Sequence, residues 1–192
     1  MSVLKDSGNR RTFSSGAVRD IQEGKGRCDL LPVGVCASLM DIRQIADCLC
    51  YIDAFMQDKH DDHLYHAIRE FCSYVGWDVE TCLLETSIHY EDGANKYGEH
   101  NWEKGIELHS FIDSGIRHLL KFVRGDSDEP HDRAFVWNML GAIWTNKYRP
   151  DLCDIALPEI KTSDECDSAE IDCCEDSNDD LIAGQMSIPE IF

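Results

Sequence analysis

Residues 110–148 read SFIDSGIRHLLKFVRGDSDEPHDRAFVWNMLGAIWTNKY, and this stretch decides the fold. Up to Val123, apolar residues recur every three or four positions, which predicts a helix from about Ser110 with one apolar face. The loop GDSDEP then supplies the acids and the proline that are typical of a helix start. From His131 to about Tyr148 the sequence is apolar nearly all round, so we expect this second helix to be central.

The same helical period extends through most of the preceding chain. Apolar residues at helical spacing predict helical segments over about 37–74 and from about Val79 to Tyr97, where Gly98 ends the second segment. Residues 16–35 are rich in glycine and indicate an extended segment with turns. No stretch shows the alternation of a β-strand. The sequence therefore predicts an all-α helical bundle with an N-terminal extended segment.

Charge separates a domain from a tail. Residues 151–192 contain 13 acidic residues and one lysine, a net charge of −12, and residues 1–150 carry the remaining −7. We predict an acidic, disordered tail at 151–192, a domain at 16–150 and a disordered N-terminus at 1–15. So acidic a chain is not expected to bind duplex nucleic acid through a basic face. Nucleotides remain candidates, because the divalent ions that hold their phosphates need carboxylate ligands.

The rest of the composition indicates a cytoplasmic protein with no membrane partner. No apolar run approaches the roughly 20 residues of a membrane-spanning helix. The N-terminal residues MSVLKDSGNRRTFSSG lack the apolar core of a signal peptide. The ten cysteines are scattered through the chain and do not show the spacing of a disulfide framework.

Chemically active side chains concentrate between Tyr90 and Asn138. Carboxylates beside imidazoles suit Mg²⁺ or Mn²⁺, ions that neutralise phosphate charge and activate water. The candidate metal ligands are Asp113, His118, Asp126, Asp128 and His131, with Glu91 as a further candidate. The candidate substrate-binding residues are Lys25, Arg27, Lys96, Tyr97, Asn101, Trp102, Arg117 and Asn138. Among them, Tyr97 and Trp102 offer stacking faces for a base, and Asn101 could read the base through hydrogen bonds. Taken singly, most of these residues fit structural roles, and it is their concentration that favours a site.

Several motifs resemble one known family. The N-terminal region of the dATP/dGTP diphosphohydrolases (MazZ) is similar to the run Tyr90-x-x-Gly93-Ala94-x-Lys96-Tyr97-x-x-x-Asn101-Trp102-x-x-Gly105. It is also similar to Asp113-x-x-x-Arg117-His118-Leu119, to Gly125-Asp126-x-Asp128 and to His131-x-x-x-x-x-x-Asn138. An earlier segment resembles the family's opening, with Gly16-Ala17-Val18-Arg19 and Glu23-Gly24-Lys25-Gly26-Arg27-x-Asp29-Leu30-Leu31. The resemblance covers 16–35 and 85–148 and leaves about 37–80 as a helical insertion.

The resemblance implies a MazG-like all-α NTP pyrophosphatase. Such an enzyme would cleave dGTP or dATP between the α- and β-phosphates with Mg²⁺ or Mn²⁺, and Asp128, His131 and Arg117 would be its catalytic residues. MazG-type enzymes carry paired E-x-x-E and E-x-x-D helices. Here the second pair reads Asp128-x-x-His131. The E-x-x-E pair itself is not found, and the nearest substitutes for it are Asp113 with His118, or Glu91 with Asp92. The resemblance further implies a homo-oligomer in the host cytoplasm of a phage, where dGMP would feed 2-aminoadenine DNA synthesis.

Two other functions fit parts of the sequence. His131-Asp132 could be the dyad of an HD-type dNTP triphosphohydrolase, with His89, His100 or His118 as an earlier ligand. The chain could also be a non-enzymatic helical interaction module whose acidic tail binds a basic partner. Product analysis separates the three hypotheses, because they predict dNMP with pyrophosphate, nucleoside with triphosphate, or no product.

Overall fold

A computed structural model describes residues 10–156 of the chain. Six helices follow a short hairpin of two strands. The strands are β1 (Arg10–Thr12) and β2 (Val18–Asp20). The helices are α1 (Val33–Ala37), α2 (Arg43–Asp58), α3 (Asp61–Val75), α4 (Val79–Tyr97), α5 (Leu108–Arg124) and α6 (His131–Tyr148). Single turns of 3₁₀ helix lie at Cys28–Leu30, Asn101–Lys104 and Pro150–Leu152. The predicted all-α fold is confirmed.

Helix α6 is the centre of the bundle, as its sequence predicts. It packs most extensively on α5 and also contacts α4 and α3. Two glycines let α5 and α6 approach closely. A Cβ atom on Gly141 would overlap the ring of Phe111, and one on Gly115 would overlap the end of the Met139 side chain. The two large side chains thus fill the places that the glycines leave empty, which is the interlocked packing of a dense core.

Helices α2 and α3 pack against each other and beside α6. Their inward faces bury Phe55 and Phe71, and the Phe71 ring lies 4.7 Å from that of Phe135 on α6. The chain reverses at Lys59, which has a left-handed φ of 61°. The sequence pattern predicted helix from about residue 37, but α2 begins at Arg43, which explains why Leu39 is 78% exposed.

The hairpin at the N-terminus corrects one prediction. Residues 1–15 were expected to be disordered, yet Arg10–Thr12 pair antiparallel with Val18–Asp20 in the register Arg11↔Arg19. Strands of three residues are too short to show an alternating pattern, so the sequence could not reveal them. Residues 1–9 and residues 157–192 of the acidic tail predicted at 151–192 lie outside the described residues.

The two ends of α4 and the start of α6 agree with the sequence signals. The side chain of Asp78 caps α4 by accepting a hydrogen bond from the backbone N–H of Thr81, and the helix ends before Gly98. Helix α6 begins at His131, directly after Pro130.

In the part of the chain from Arg10 to Ala156, no helix is long and apolar enough to cross a membrane.

Candidate functional site

A cavity of about 690 Å³ lies among the hairpin, α4, α5, α6 and the turn at Asn101–Lys104. Ten of the residues predicted from the sequence line it: Lys25, Glu91, Lys96, Tyr97, Asn101, Trp102, Arg117, His118, Asp128 and Asn138. Four others, Arg27, Asp113, Asp126 and His131, do not line it. The cavity is therefore the place where the conspicuous residues of the sequence meet.

Two histidines and two carboxylates form what we call the histidine–carboxylate cluster: His118, Asp128, Glu129 and His131. The Nδ1 atoms of His118 and His131 lie 2.9 Å apart, and Oε1 of Glu129 is 3.8 Å from each. Nε2 of His131 lies 2.9 Å from Oδ1 of Asp128. Because α5 and α6 pack together, residues 13 apart in the sequence meet at one edge of the cavity.

The electrostatics of the cluster favour a cation. Burial lowers the pKa of His118 well below its usual value, and the nearby positive charge of a protonated His131 would lower it further. His118 is therefore neutral at pH 7 and keeps a lone pair. A hydrogen bond from Lys121 holds the pKa of Asp128 far below its usual range, and the contact with His131 acts in the same direction. Asp128 is therefore ionised.

The donor set fits a divalent metal ion. One ligand atom each from His118, Glu129 and His131 can be chosen within 4.8 Å of one another, and the same holds for Asp126, Asp128 and His131. Both groups use His131, a buried residue whose two ring nitrogens point to different carboxylates. Imidazole with carboxylate oxygen suits Mn²⁺ better than Mg²⁺, which prefers oxygen ligands alone.

Two further predicted metal ligands, Asp126 and Asp113, have partners of their own. Both oxygens of Asp126 accept hydrogen bonds from the guanidinium of Arg124, which compensates the carboxylate charge. Asp113 is 1% exposed and accepts hydrogen bonds from Nε2 of Gln22 and the backbone N–H of Cys28, both at 2.6 Å, and from Arg117. Asp113 therefore holds Arg117 and the 22–28 segment in place, and it is not one of the described residues grouped around a metal position.

Arg117 has one unsatisfied donor. Its terminal nitrogens contact Asp113, Ser114 and the carbonyl of Gly26, whereas its buried Nε has no hydrogen-bond partner. A buried N–H without an acceptor is unfavourable. Because Arg117 lines the cavity, a ligand oxygen could supply the missing acceptor.

Lys96 and Tyr97 meet the hairpin at Asp20. Nζ of Lys96 lies 2.8 Å from Oδ2 of Asp20, and the Tyr97 hydroxyl donates to Oδ1 at 2.7 Å. Burial opposes the charge of Lys96, but the hydrogen bonds with Asp20 and Tyr97 outweigh it and raise the lysine pKa. These two residues therefore tie the end of α4 to β2, in addition to lining the cavity.

Asn101 also serves the hairpin, and its predicted role as a base reader needs correction. Its Oδ1 accepts from the backbone N–H of Val18 at 3.0 Å, and its Nδ2 donates to the Val18 carbonyl at 2.8 Å. The side-chain amide thus pairs with β2 as a neighbouring strand would.

Arg27 lies outside the main cavity, where its guanidinium pairs with Asp29.

Aromatic side chains form another part of the cavity lining. The rings of Tyr90 and Trp102 meet edge to face at 5.7 Å, and Trp102 meets Trp144 at 5.0 Å. Burial raises the pKa of Tyr90 to about 12, so this phenol stays neutral. Trp137 lies beside them, with its ring 6.0 Å from that of Tyr90. A planar base would find apolar faces here, as Trp102 and Tyr97 were predicted to provide.

Arg11, Arg19 and His89 also line the cavity but were not among the candidate metal and substrate-binding residues; His89 was considered only as a ligand in the HD-type alternative. Arg11 and Arg19 extend from the hairpin, and His89 lies on α4. Nδ1 of His89 is buried without a hydrogen-bond partner, and burial lowers its pKa to about 4. Asn138, which was predicted, accepts from Arg19 at 3.0 Å while its own amide donates to the Ala134 carbonyl. Strand β1, which carries Arg11, left no signal in the sequence, whereas Arg19 lies in the predicted extended segment 16–35.

Comparisons with known proteins agree with the motifs. Residues 75–154 match the family model described as dATP/dGTP diphosphohydrolase, N-terminal. No curated protein and no solved structure matches the chain significantly. The matched range contains α4, α5, α6 and the whole histidine–carboxylate cluster, and it covers 85–148 but not 16–35 of the two resembling segments. Over residues 75–154 the chain is therefore similar to the N-terminal region of the dATP/dGTP diphosphohydrolases.

Proposed function

We propose that the protein hydrolyses purine deoxynucleoside triphosphates, dGTP or dATP, to dNMP and pyrophosphate in a metal-dependent reaction. The observation that carries the proposal is that a single cavity combines a histidine–carboxylate cluster, several cations and an aromatic wall. Metal, phosphate and base are the three parts of a metal–nucleotide complex. The similarity of residues 75–154 to the dATP/dGTP diphosphohydrolases supports the same reaction.

The cluster would hold the metal ion. His118, His131, Glu129 and Asp128 are the ligands that we propose, with Mg²⁺ or Mn²⁺ as the ion and the imidazoles favouring Mn²⁺. When bound, such an ion neutralises phosphate charge and lowers the pKa of a bound water. Asp128 would keep the Nε2–H of His131 in place, which directs the Nδ1 lone pair of His131 towards His118 and Glu129, where the ion would bind.

Cations of the chain would hold the phosphates. Arg117 offers its unpartnered Nε from a side chain that Asp113 fixes, and Lys96 offers an ammonium that Asp20 positions. Both cations are oriented by a carboxylate before the substrate arrives, so less side-chain entropy is lost on binding. Arg117 would also stabilise the charge that develops on the phosphates during the reaction.

The aromatic wall would receive the base. Trp102 and Tyr90 present apolar faces, and a purine covers more of such a surface than a pyrimidine does. Both polar atoms of the Asn101 side chain already form hydrogen bonds with the backbone of Val18. Other groups would therefore have to recognise the base through hydrogen bonds. His89 is a neutral imidazole with an unpartnered nitrogen in the cavity lining, and it can take that role.

We also propose, from the family resemblance, that the enzyme acts as a homo-oligomer in the cytoplasm of a phage-infected cell. Its dGMP would supply synthesis of the 2-aminoadenine deoxynucleotide. An exposed apolar strip on α4, with Leu83 at 54% and Leu84 at 70% exposure, supports an assembly of subunits.

The alternatives have less support. For the HD-type triphosphohydrolase, Asp132 would have to join His131 as a ligand, but its carboxylate accepts from the backbone N–H of Arg133 and belongs to none of the described metal-competent groups. For the non-enzymatic module, the acidic tail would bind a partner, and residues 157–192 of that tail lie outside the described residues.

Phosphorus NMR of a dGTP reaction with Mg²⁺ or Mn²⁺ tests the proposal. We expect resonances of dGMP and pyrophosphate to grow together, and their growth to stop when EDTA is added. Intact inorganic triphosphate would support the HD-type enzyme instead, and an unchanged spectrum would support the interaction module.

A further inference from the structure

Two arginines face each other across the hairpin. Arg11 on β1 is the register partner of Arg19 on β2, and both side chains line the cavity. They converge on one residue of α5, since Arg11 donates to Oγ of Ser110 at 2.6 Å and Arg19 donates to the Ser110 carbonyl at 3.2 Å. Like charges directly opposite each other on paired strands are destabilising.

Arg19 is partly buried, and all of its hydrogen-bond partners are neutral. It donates to Oδ1 of Asn138 and to the Ser110 carbonyl, and its guanidinium lies 5.3 Å from the ring centroids of Phe111 and Trp137. Among residues 10–156, no carboxylate lies within ion-pair distance of it. Burial, together with the charge of Arg11, lowers its pKa to about 10, which leaves it protonated at pH 7.

Arg11 is only weakly compensated. Its nearest carboxylate, Glu107, is 3.8 Å away, and its hydrogen bond to Gln22 is long at 3.4 Å. A buried cation without a counter-charge is unfavourable, and a second cation beside it adds to the repulsion. An anion between the two guanidinium groups would remove both effects and would find planar donors suited to phosphate oxygens.

We propose that Arg11 and Arg19 form an anion clamp that binds a phosphoryl group of the ligand in this cavity. The clamp and three residues of the histidine–carboxylate cluster, His118, Asp128 and Glu129, line the same cavity. The anion is therefore expected in the phosphate part of the cavity. Its assignment to the triphosphate chain of a dNTP rests on the proposed function, whereas the clamp itself does not.

Calorimetric titration with inorganic pyrophosphate tests the clamp, with full-length protein and no added metal. Loss of a charge-assisted hydrogen-bond donor is expected to weaken binding at least about tenfold in Arg19→Met and several-fold in Arg11→Met. The control is Arg43→Met, because Arg43 is 90% exposed on α2 and does not line the cavity. It should bind pyrophosphate like the wild type.

Unchanged pyrophosphate binding in Arg19→Met, or no binding to the wild type, would overturn the clamp. If circular dichroism shows that Arg19→Met does not fold, Arg11→Met decides, because the side chain of Arg11 is 33% exposed and its loss leaves the core intact.

The clamp and the proposed function can fail separately. A protein that binds pyrophosphate through Arg19 but leaves dGTP intact keeps the clamp and loses the hydrolase function. A protein that hydrolyses dGTP while both variants bind pyrophosphate normally keeps the function and loses the clamp.

Discussion

Replacing Asp113 with asparagine should weaken the whole protein, because this buried carboxylate joins α5 to the segment that leads out of the hairpin. One oxygen accepts from the backbone N–H of Cys28, and the other accepts from Gln22 and Arg117. Asparagine has the same shape but only one acceptor oxygen. If that oxygen keeps the bond to Cys28, the new NH₂ group faces two donors, and if the amide flips, the Cys28 N–H loses its acceptor.

The magnitude follows from burial. The side chains of Asp113 and Arg117 are 1% and 15% exposed, so the variant leaves the guanidinium with no anionic partner in a poorly solvated position. Breaking a buried ion pair from one side typically destabilises by about 3–5 kcal/mol. With a urea m-value of about 2 kcal/mol/M, the unfolding midpoint should fall by about 2 M.

Urea unfolding followed by circular dichroism measures this shift. The matched control is Asp47→Asn, which removes an exposed ion pair with Arg43 at 3.5 Å and should change stability by about 0.5 kcal/mol or less. Turnover of Asp113→Asn under native conditions should also fall, because Arg117 loses its orientation. An Asp113→Asn midpoint as close to wild type as that of the control would refute this reasoning.

Four further predictions follow from the site and the core. Asp128→Asn should change the free energy of unfolding by no more than about 1 kcal/mol, because Asp128 is an exposed loop residue. It should nevertheless lower dNTP turnover by orders of magnitude, and near-normal turnover at saturating metal would contradict this prediction. Trp102→Ala should raise KM for dGTP and dATP together, by roughly tenfold if stacking contributes its usual 1–3 kcal/mol. Because His89 has a folded pKa of about 4, below the usual 6.5, the unfolded chain binds more protons between those values, and stability should drop as pH falls from 6.5 to 4. His89→Phe should flatten that part of a melting-temperature curve. Gly141→Ala should lower the melting temperature by several degrees because its Cβ meets Phe111, whereas Gly93→Ala on α4, where a Cβ meets nothing, should not.

The helices could be predicted because their ends carry local signals. Gly98 follows α4 and Pro130 precedes α6, so short stretches of sequence were enough. The histidine–carboxylate cluster was partly foreseeable for the same reason, because Asp128 and His131 lie one turn apart and α5 directly precedes them. Glu129 was taken for a helix-start acid and its place beside both imidazoles was missed.

The rest depends on contacts between distant parts of the chain. Asn101 and Val18 are 83 residues apart, and Arg19 and Asn138 are 119 apart. No local pattern indicates that a side-chain amide will pair with a strand of three residues, so Asn101 looked like a base reader. In the sequence, Arg19 was noted only as part of the motif Gly16-Ala17-Val18-Arg19. That it is partly buried among neutral partners becomes apparent only in the folded protein.

Side-by-side hydrolysis of dGTP, dATP, dCTP and dTTP, with product identification, tests the central claim most directly. The purified protein with Mn²⁺ or Mg²⁺ should convert dGTP and dATP to dNMP and pyrophosphate, with kcat/KM well above the values for dCTP and dTTP. Equal kcat/KM for all four nucleotides, release of intact triphosphate, or no hydrolysis at all would contradict the account.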